Sequence, residues 1–264
     1  MSRLLHFRYD ILLEFSRPVV RHSFVLRCLP PDLPWQRILD VTLALDPTVP
    51  VTLQRDSFGN LIQAGCIEAP HTNFRYRVQG TALRDDSRRS AGPCHPVFRQ
   101  PSAYTVPSPE MLCWLDGLQL PAQPRPRAWA LAQAVHDRLS YTPGATGVAT
   151  TAAQAFAAGQ GVCQDFAHVY LALARRLGLP ARYVNGLPEG EGASHAWCEV
   201  WLDQGWTGID PTRLQWTDEG YLRFGVGRDF GDCPIERGIF VGNADQTQTV
   251  HMRVEAEQES CKTI

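Results

Sequence analysis

The sequence lacks the features that mark a membrane protein or a small zinc-stabilised domain. It contains no run of about 20 apolar residues, so we expect no transmembrane helix and no membrane as a partner. Arg3, Arg8, Asp10 and Glu14 interrupt the N-terminus, which predicts no signal peptide and a cytoplasmic location. No Cys-x-x-Cys pair occurs, and we therefore expect no zinc finger, zinc ribbon or other metal site.

The sequence is also poor in lysine and in net charge. Only Lys262 among the 25 basic residues is a lysine, and the formal charge is −2 at pH 7. Such a balance provides no global field for nucleic acid, so we expect no nucleic-acid partner. A chain of 264 residues buries a core without disulfides, and we interpret its eight cysteines mostly as small buried residues in a reducing compartment.

Hydrophobic periodicity divides the chain into three parts of an α+β protein. Residues 1–90 alternate at period two, most clearly at 41–45 and 74–78, and predict a small antiparallel, β-sandwich-like domain. Residues 91–125 are rich in proline and predict a surface connector rather than a strand or a long helix. Residues 126–264 are predicted to form a second domain, in which helices are followed by strands.

Two helices are predicted at the start of this second domain. Apolar residues recur with helical spacing up to Ser140, and again from Cys163 to Leu177. Gly178 and Pro180 follow the second helix as a C-terminal cap and a helix breaker. Strands are predicted beyond it, at 181–184, 194–202, 206–210, 240–241 and 249–254.

Cys163 opens the most strongly periodic helix of the sequence. A thiol at a helix start lies at the positive end of the helix dipole, which favours the thiolate and activates the sulfur. The unpaired N–H groups of the first turn can also face a developing oxyanion. A lone cysteine at a helix start is more often a small buried residue of the core than a nucleophile. The choice between these two interpretations therefore depends on whether an imidazole partner is present.

Among the eight histidines, His195 has the geometry of such a partner. It opens a predicted strand, and a tight turn folds that strand onto the next, which brings Asp210 within about three residues of it in register. His168 lies about 140° round the helix from Cys163, and Cys198 points away from the face of His195. Each residue alone has a structural explanation, but the cysteine, histidine and aspartate in this order favour catalysis.

Several stretches carry recognisable motifs: 161–168 (GVCQDFAH), 178–184 (GLPARYV), 194–197 (SHAW), 205–212 (GWTGIDPT) and 227–230 (GRDF). In this order they resemble the bacterial transglutaminase-like family, and the resemblance covers nearly the whole chain. It implies a papain-like transglutaminase core as the catalytic domain at 126–264, with the helix-start cysteine packed on an antiparallel sheet. It also implies that a β-rich domain precedes this core.

The resemblance further implies a role for each reactive residue. Cys163 is expected to be the nucleophile, His195 the general base and acid, and Asp210 the carboxylate that orients the imidazole. The side-chain donor to the oxyanion stays open between Tyr141 and Gln160. No cofactor is implied, and no acidic loop resembles a calcium site.

Four further residues are candidates for the substrate cleft. Trp197 and Glu199 share the strand face of His195 by periodicity, although core packing explains Trp197 equally well. Arg228 and Asp229 either pair with each other or contact substrate, and a structural loop clamp is favoured. The Cys94-His95 pair in the connector is interpreted as incidental.

The three residues predict attack on a carbonyl through a thioester on Cys163. The resemblance implies a cysteine hydrolase that cleaves a peptide, isopeptide or amide bond. A protein-glutamine acyltransferase with an amine acceptor is the alternative, since the triad does not select the second nucleophile. A non-catalytic peptide-binding scaffold is a third possibility, which the intact set of three residues disfavours. The expected partner is a peptide or protein substrate, and the oligomeric state stays open.

Overall fold

The computed structural model describes residues 2–88 and 93–257, which have the predicted α+β fold. The helices are α1 (Pro109–Asp116), α2 (Pro124–Arg138), α3 (Ala152–Ala158) and α4 (Cys163–Arg176). The strands are β1 (Arg3–Leu26), β2 (Gln36–Asp46), β3 (Thr52–Arg55), β4 (Leu61–Ile67), β5 (His71–Arg84), β6 (Ser140–Tyr141), β7 (Gln160–Gly161), β8 (Ala181–Pro188), β9 (Gly190–Gly192), β10 (His195–Leu202), β11 (Gly205–Asp210), β12 (Gln215–Trp216), β13 (Tyr221–Gly227), β14 (Glu236–Val241) and β15 (Gln246–Ala256).

A long first strand organises the N-terminal sheet. β1 pairs antiparallel with β5 and β15 through its first half, and with β4 and β14 through its second half. The sheet has eight strands, with the order β2-β5-β1-β15-β9 and with β14, β4 and β3 joined along the second half of β1. A register shift between Glu14 and Val19 separates the two halves, and a shift of this kind bends a strand.

Buried side chains recur at every second position along the first half of β1. Since successive side chains of a strand point to opposite faces, these buried ones form the core on one face of this sheet. Phe224 of β13 packs edge-to-face on Tyr9 with 5.8 Å between the ring centroids, so the core continues into the second sheet. The buried side chains of the first half of β1 are those of Leu5, Phe7, Tyr9, Ile11 and Leu13.

The last two strands of the described chain belong to this N-terminal sheet. β14 and β15 fall within the range predicted as catalytic, 126–264, but both pair with β1. The alternation at 249–254 predicts a strand and gives no indication of its partner. Within the proline-rich range 91–125, the short helix α1 buries Met111 and Leu115 in the hydrophobic core that surrounds α4.

The second sheet supports the predicted helix at Cys163. Its five antiparallel strands have the order β12-β11-β10-β8-β13, and α4 packs on β8 and β10. α2 and α3 contact the other side of α4, so that helix is buried almost all round. Gly178 has a φ of 77° after the helix end, which confirms the predicted C-terminal stop.

Two buried amide side chains close the outer edge of β13. Asn60 donates to the carbonyl of Val226 and accepts from its N–H, both at 2.8 Å. Gln36 makes the same pair of bonds with the backbone of Arg223, at 2.9 and 2.8 Å. Both amides come from the N-terminal sheet region, so the edge of the second sheet is satisfied by side chains instead of another strand.

Two further expectations concern the membrane and the cysteines. No helix in the described ranges combines the length and apolar character needed to span a bilayer. The seven described cysteines are free thiols, and Cys261 lies outside the described residues. Of these seven, only Cys28, Cys198 and Cys233 are buried, so the interpretation of the cysteines as mostly buried is wrong.

Candidate active site

The turn before α4 fixes the position of Cys163, the first residue of that helix. The carboxylate of Asp165 accepts the N–H of Val162 at 2.8 Å and the hydroxyl of Thr146 at 2.6 Å. A Cβ at Gly161 would lie 2.6 Å from the Asp165 side chain, so only glycine fits there. Asp165 therefore braces the nucleophile turn from inside the protein.

The hairpin of β10 and β11 brings His195 and Asp210 together. Its two-residue turn at 203–204 has positive φ at both positions, as a type I′ turn requires. Cys198 pairs with Ile209, so Asp210 lies two positions from His195 across the hairpin. This register lies within the range predicted from the sequence.

The carboxylate of Asp210 holds the imidazole of His195. Oδ2 of Asp210 is 2.6 Å from Nε2 of His195, and Oδ1 accepts the N–H groups of Thr212 and Arg213 at 2.9 and 3.1 Å. Burial alone would raise the pKa of Asp210, but its bond to His195 and the other donors hold that pKa below its usual value. An ionised carboxylate only accepts hydrogen bonds, so Nε2 is the protonated nitrogen that donates to it.

The other ring nitrogen of His195, Nδ1, remains for Cys163. Burial lowers the pKa of His195, but hydrogen bonds with Asp210 and Cys163 outweigh this effect and raise the pKa to about 9. Both partners thus favour the protonated form of the ring. The three side chains thus form a chain in the order Cys163, His195 and Asp210, in which His195 and Asp210 are joined by a hydrogen bond of 2.6 Å.

Tyr221 is a member of this chain that the sequence reasoning missed. Its hydroxyl donates to Oδ2 of Asp210 at 2.9 Å and accepts from the amide of Gln215 at 2.8 Å. Its ring also packs edge-to-face on Trp197, with 5.2 Å between the centroids. Tyr221 opens β13, a strand buried along its whole length and without period-two alternation, so no sequence signal marked it.

Cys163 and His195 line a cavity of about 270 Å³ that has two walls. The helix-hairpin wall consists of the start of α4 and the start of β10, which carry Cys163 and His195. The N-terminal wall consists of Tyr9, Tyr76, Glu236 and Gln248 from the eight-stranded sheet. Other lining residues include Val162, Gln164, Tyr183, Asn185, Ser194 and Phe230.

Comparison with known proteins decides the family. Residues 116–211 match the model of the transglutaminase-like superfamily, and residues 5–82 match that of the bacterial transglutaminase-like N-terminal region. The uncharacterized protein ML0607 of Mycobacterium leprae is 37% identical over 221 residues, which cover 74% of this chain and 79% of that protein. This chain belongs to the transglutaminase-like superfamily. Membership supports a general transglutaminase-like function.

Two further similarities differ in extent. The uncharacterized protein Rv2569c of Mycobacterium tuberculosis is 37% identical over 133 residues, covering 44% of this chain and 42% of that relative. The matched region thus spans less than half of each protein. A solved structure from Cytophaga hutchinsonii, named a "putative cysteine protease", superposes with a TM-score of 0.77 at 21% identity. It covers 98% of this chain and 92% of its own, and it shares the fold.

Both oxyanion candidates of this transglutaminase-like protein lie beside the nucleophile turn. Tyr141 pairs with Gly161 and Gln160 pairs with Ser140 between the parallel strands β6 and β7. Burial and the nearby charge of Cys163 raise the pKa of the Tyr141 hydroxyl. The strand pairing places both residues beside this turn and leaves the choice between them open.

Trp197 and Glu199 lie in the interior, away from the lining of the catalytic cavity. Trp197 is 2% exposed, and its ring stacks against His195 with 6.4 Å between the centroids. Glu199 is also buried and forms ion pairs with Arg182 at 2.5 Å and Arg223 at 3.4 Å. Trp197 therefore packs against the imidazole of His195. Glu199 belongs to a separate, buried network of ion pairs.

Arg228 and Asp229 form a loop clamp without pairing with each other. Arg228 forms an ion pair with Asp232 at 2.8 Å. Asp229 caps the short 3₁₀ helix that follows, accepting the N–H of Gly231 at 2.8 Å, and also accepts the N–H of Tyr104 at 3.3 Å. Neither residue lines the catalytic cavity.

The remaining histidine and cysteine candidates are structural. Burial lowers the pKa of His168 to about 4, and its Nε2 accepts the N–H of Phe230 at 3.1 Å. Cys198 is buried, with its sulfur 3.5 Å from the carbonyl of Ala167. His95 accepts the N–H of Val97 at the start of a 3₁₀ helix. No group of three or more potential metal ligands occurs in the portion of the chain that the structure describes.

Proposed function

We propose that this protein is a cysteine hydrolase that cleaves a peptide, isopeptide or amide bond through a thioester on Cys163. One observation carries the proposal. The imidazole of His195 lies between the Asp210 carboxylate, 2.6 Å from Nε2, and the thiol of Cys163 at the start of α4. Membership of the transglutaminase-like superfamily supports a thiol chemistry of this kind.

In the first half of the reaction, the Cys163 thiolate attacks the carbonyl carbon and forms a C–S bond. The charge that develops on the carbonyl oxygen faces the backbone N–H of Cys163, which has no partner in the first helical turn, and the side chain of either Tyr141 or Gln160. The C–N bond then breaks, and the His195 imidazolium gives its proton to the leaving amine. The product is a thioester and a neutral imidazole.

In the second half, water attacks the thioester carbonyl. His195 takes a proton from this water, the C–S bond breaks, and the products are a carboxylic acid, the thiolate and the imidazolium. Asp210 stays ionised throughout and keeps the ring in one tautomer. Hydrolysis is proposed ahead of transfer because water needs no acceptor site of its own.

A thiol-labelling experiment tests whether Cys163 is activated. We expect iodoacetamide at about pH 6 to alkylate Cys163 at least about tenfold faster than the exposed thiol of Cys113. The substitution His195→Ala should remove this preference. Equal labelling of both cysteines in the wild-type protein would contradict the proposal, because an inert thiol cannot start the reaction.

Product analysis tests the choice between water and an amine. The protein is acylated with a p-nitrophenyl ester and a primary amine is added at about millimolar concentration. Hydrolysis predicts carboxylic acid as the main product, measured by mass spectrometry, with acylated Cys163 as the intermediate. A dominant amide product would replace the hydrolase with an acyltransferase while leaving the thioester step intact.

A further inference from the structure

The N-terminal wall of the catalytic cavity contains one acidic side chain. Glu236 opens β14, pairs with Leu26 of β1 in the sheet register, and lines the same cavity as Cys163 and His195. The other residues of this wall, Tyr9, Tyr76 and Gln248, contribute hydroxyl and amide groups. In the described parts of the chain, Glu236 is the sole carboxylate of the cavity lining.

The carboxylate of Glu236 has neutral partners among the described residues. Its Oε2 accepts the hydroxyl of Tyr76 and the amide of Gln248, both at the long distance of 3.4 Å. Within residues 2–88 and 93–257, no basic side chain forms an ion pair with it. Glu199, which is buried elsewhere in the protein, meets Arg182 and Arg223.

Burial of this carboxylate has an energetic cost. Burial raises the pKa of Glu236 to about 7, and the hydrogen bond from Tyr76 offsets only part of that effect. A half-buried carboxylate without a cation is destabilising, and a cationic group of a ligand would relieve the cost. Glu236 and Cys163 line one cavity, so a substrate held at Cys163 can reach Glu236.

We infer that Glu236 binds a primary ammonium group of the substrate while the substrate carbonyl lies at Cys163. This inference rests on the proposed thiol chemistry and names its substrate class as amine-bearing acyl peptides. An ammonium group has three donors, which the carboxylate of Glu236 and the hydroxyl oxygens of Tyr9 and Tyr76 can accept. The ammonium is either a free α-amino group or the ε-amino group of lysine, and the experiment separates these two sources.

Three p-nitrophenyl esters that share an unbranched four-carbon side chain provide the probe. The ester of Nα-acetyl-norleucine is neutral, that of norleucine carries an α-ammonium, and that of Nα-acetyl-lysine carries an ε-ammonium. The burst of p-nitrophenolate at about pH 7.5 gives the rate constant for acylation of Cys163, at a pH where Glu236 is mainly ionised. The full chain is used, as wild type, Glu236→Gln, Cys163→Ser and the exposed control Glu14→Gln.

We expect one ammonium ester to acylate the wild type at least about tenfold faster than the neutral ester, relative to its intrinsic hydrolysis rate. In Glu236→Gln this ratio should fall to about one, and in Glu14→Gln it should match the wild type. A wild type that prefers neither ammonium ester, or a ratio that survives in Glu236→Gln, would overturn the inference. The ester that is preferred identifies the α- or the ε-amino group.

Failure of the proposed function looks different. If no ester produces a burst that Cys163→Ser abolishes, the thiol chemistry itself is wrong and this inference falls with it. If the neutral ester acylates Cys163 without any ammonium preference, the chemistry stands and only the role of Glu236 is lost. Should Glu236→Gln fail to fold, n-butylammonium should slow acylation of the wild type by the neutral ester, whereas n-butanol should not. Equal effects of the two would overturn the inference.

Discussion

The two walls of the catalytic cavity differ in how their residues come together. The helix-hairpin wall is built from local structure, in which Cys163 opens a helix and His195 meets Asp210 across a tight hairpin. The N-terminal wall is built from distant parts of the chain, since Tyr9 pairs with Met252 in the register of β1 and β15. The proposed reactive groups lie on the first wall, and the polar side chains of Tyr9, Tyr76, Glu236 and Gln248 lie on the second.

Under the proposed function, the helix-hairpin wall carries out the reaction and the N-terminal wall selects the substrate. The helix-hairpin wall needs one geometry for any acyl transfer, because the sulfur, the imidazole and the carboxylate act as a unit. The N-terminal wall can vary without disturbing that unit, because its strands reach the cavity from the other sheet. Substitutions on the first wall should therefore remove activity, while substitutions on the second should change which substrate is used or how stable the protein is.

The largest effect is expected for Asp210→Asn. Asparagine lacks the charge that raises the pKa of His195 and can present its amide nitrogen to the ring, which favours the wrong tautomer. The rate constant for acylation should fall by about 10²–10⁴-fold. NMR titration should show the pKa of His195 falling from about 9 towards its ordinary value.

A matched aspartate provides the control for this prediction. Asp232 pairs with Arg228 at 2.8 Å and lies outside the cavity lining, so Asp232→Asn should leave acylation near the wild-type rate. If Asp210→Asn were as active as Asp232→Asn, the helix-hairpin wall would not form a catalytic unit. The two walls would then no longer differ in kind.

The sequence predicts the helix-hairpin wall well because each pattern that indicates it spans only a short stretch of the chain. The start of α4 follows from the apolar spacing after Cys163, and its end follows from Gly178. The hairpin follows from a turn between two alternating runs, which also places Asp210 near His195. These features depend on neighbours within a few turns or within one hairpin, where local geometry constrains the chain.

The N-terminal wall could not be predicted in the same way. Period-two alternation tells which face of β15 is buried, but it does not tell that β1 is the partner strand. Tyr76 of β5 and Gln248 of β15 meet Glu236 of β14 only because all three strands pair with β1. Tyr221 was missed for a related reason, because β13 is buried on both faces and carries no alternation.

Substitution at the joint between the two sheets should cause the largest loss of stability. Asn60→Ala leaves the N–H and the carbonyl of Val226 buried at the edge of β13 without partners. The free energy of unfolding should fall by about 2–4 kcal/mol, measured by chemical denaturation. Asn73→Ala, on the exposed side of β5, should cost less than about 1 kcal/mol. Equal costs would show that the amide does not hold the sheets together.

Glu236→Gln should stabilise the protein, in contrast to Asn60→Ala. The pKa of Glu236 is raised in the folded state, from its ordinary 4.5 to about 7, so the folded protein binds this proton more tightly than the unfolded chain. Stability from this group is complete below about pH 4.5 and is lost as the pH rises through 7. Glutamine avoids that loss and should add about 1–3 kcal/mol at pH 8.

Denaturation of both proteins at two pH values checks this result. Near pH 4 the Glu236 carboxyl is neutral, so wild type and Glu236→Gln should have similar free energies of unfolding. Glu14→Gln should show no such pH-dependent difference. If wild type and Glu236→Gln differed by the same free energy of unfolding at both pH values, the ionised carboxylate would not be destabilising. Binding of a cation at the N-terminal wall would then relieve no energetic cost.

The smallest effect is expected for Tyr221→Phe. This substitution tests whether Tyr221 only positions Asp210 or also belongs to the electrostatic unit of the catalytic residues. Its hydroxyl donates to Asp210 without touching the cavity, so it positions the carboxylate and takes no part in proton transfer. Acylation should slow by about five- to tenfold, the value of one hydrogen bond. Because Asp210 keeps its charge, the pKa of His195 should stay near 9, unlike in Asp210→Asn.

Tyr170→Phe provides the matched control. It loses a bond to the carbonyl of Ala128 at 3.2 Å and should react at the wild-type rate. A fall in the pKa of His195 as large as that in Asp210→Asn would instead make Tyr221 part of the electrostatic unit, and the helix-hairpin wall would then extend to β13.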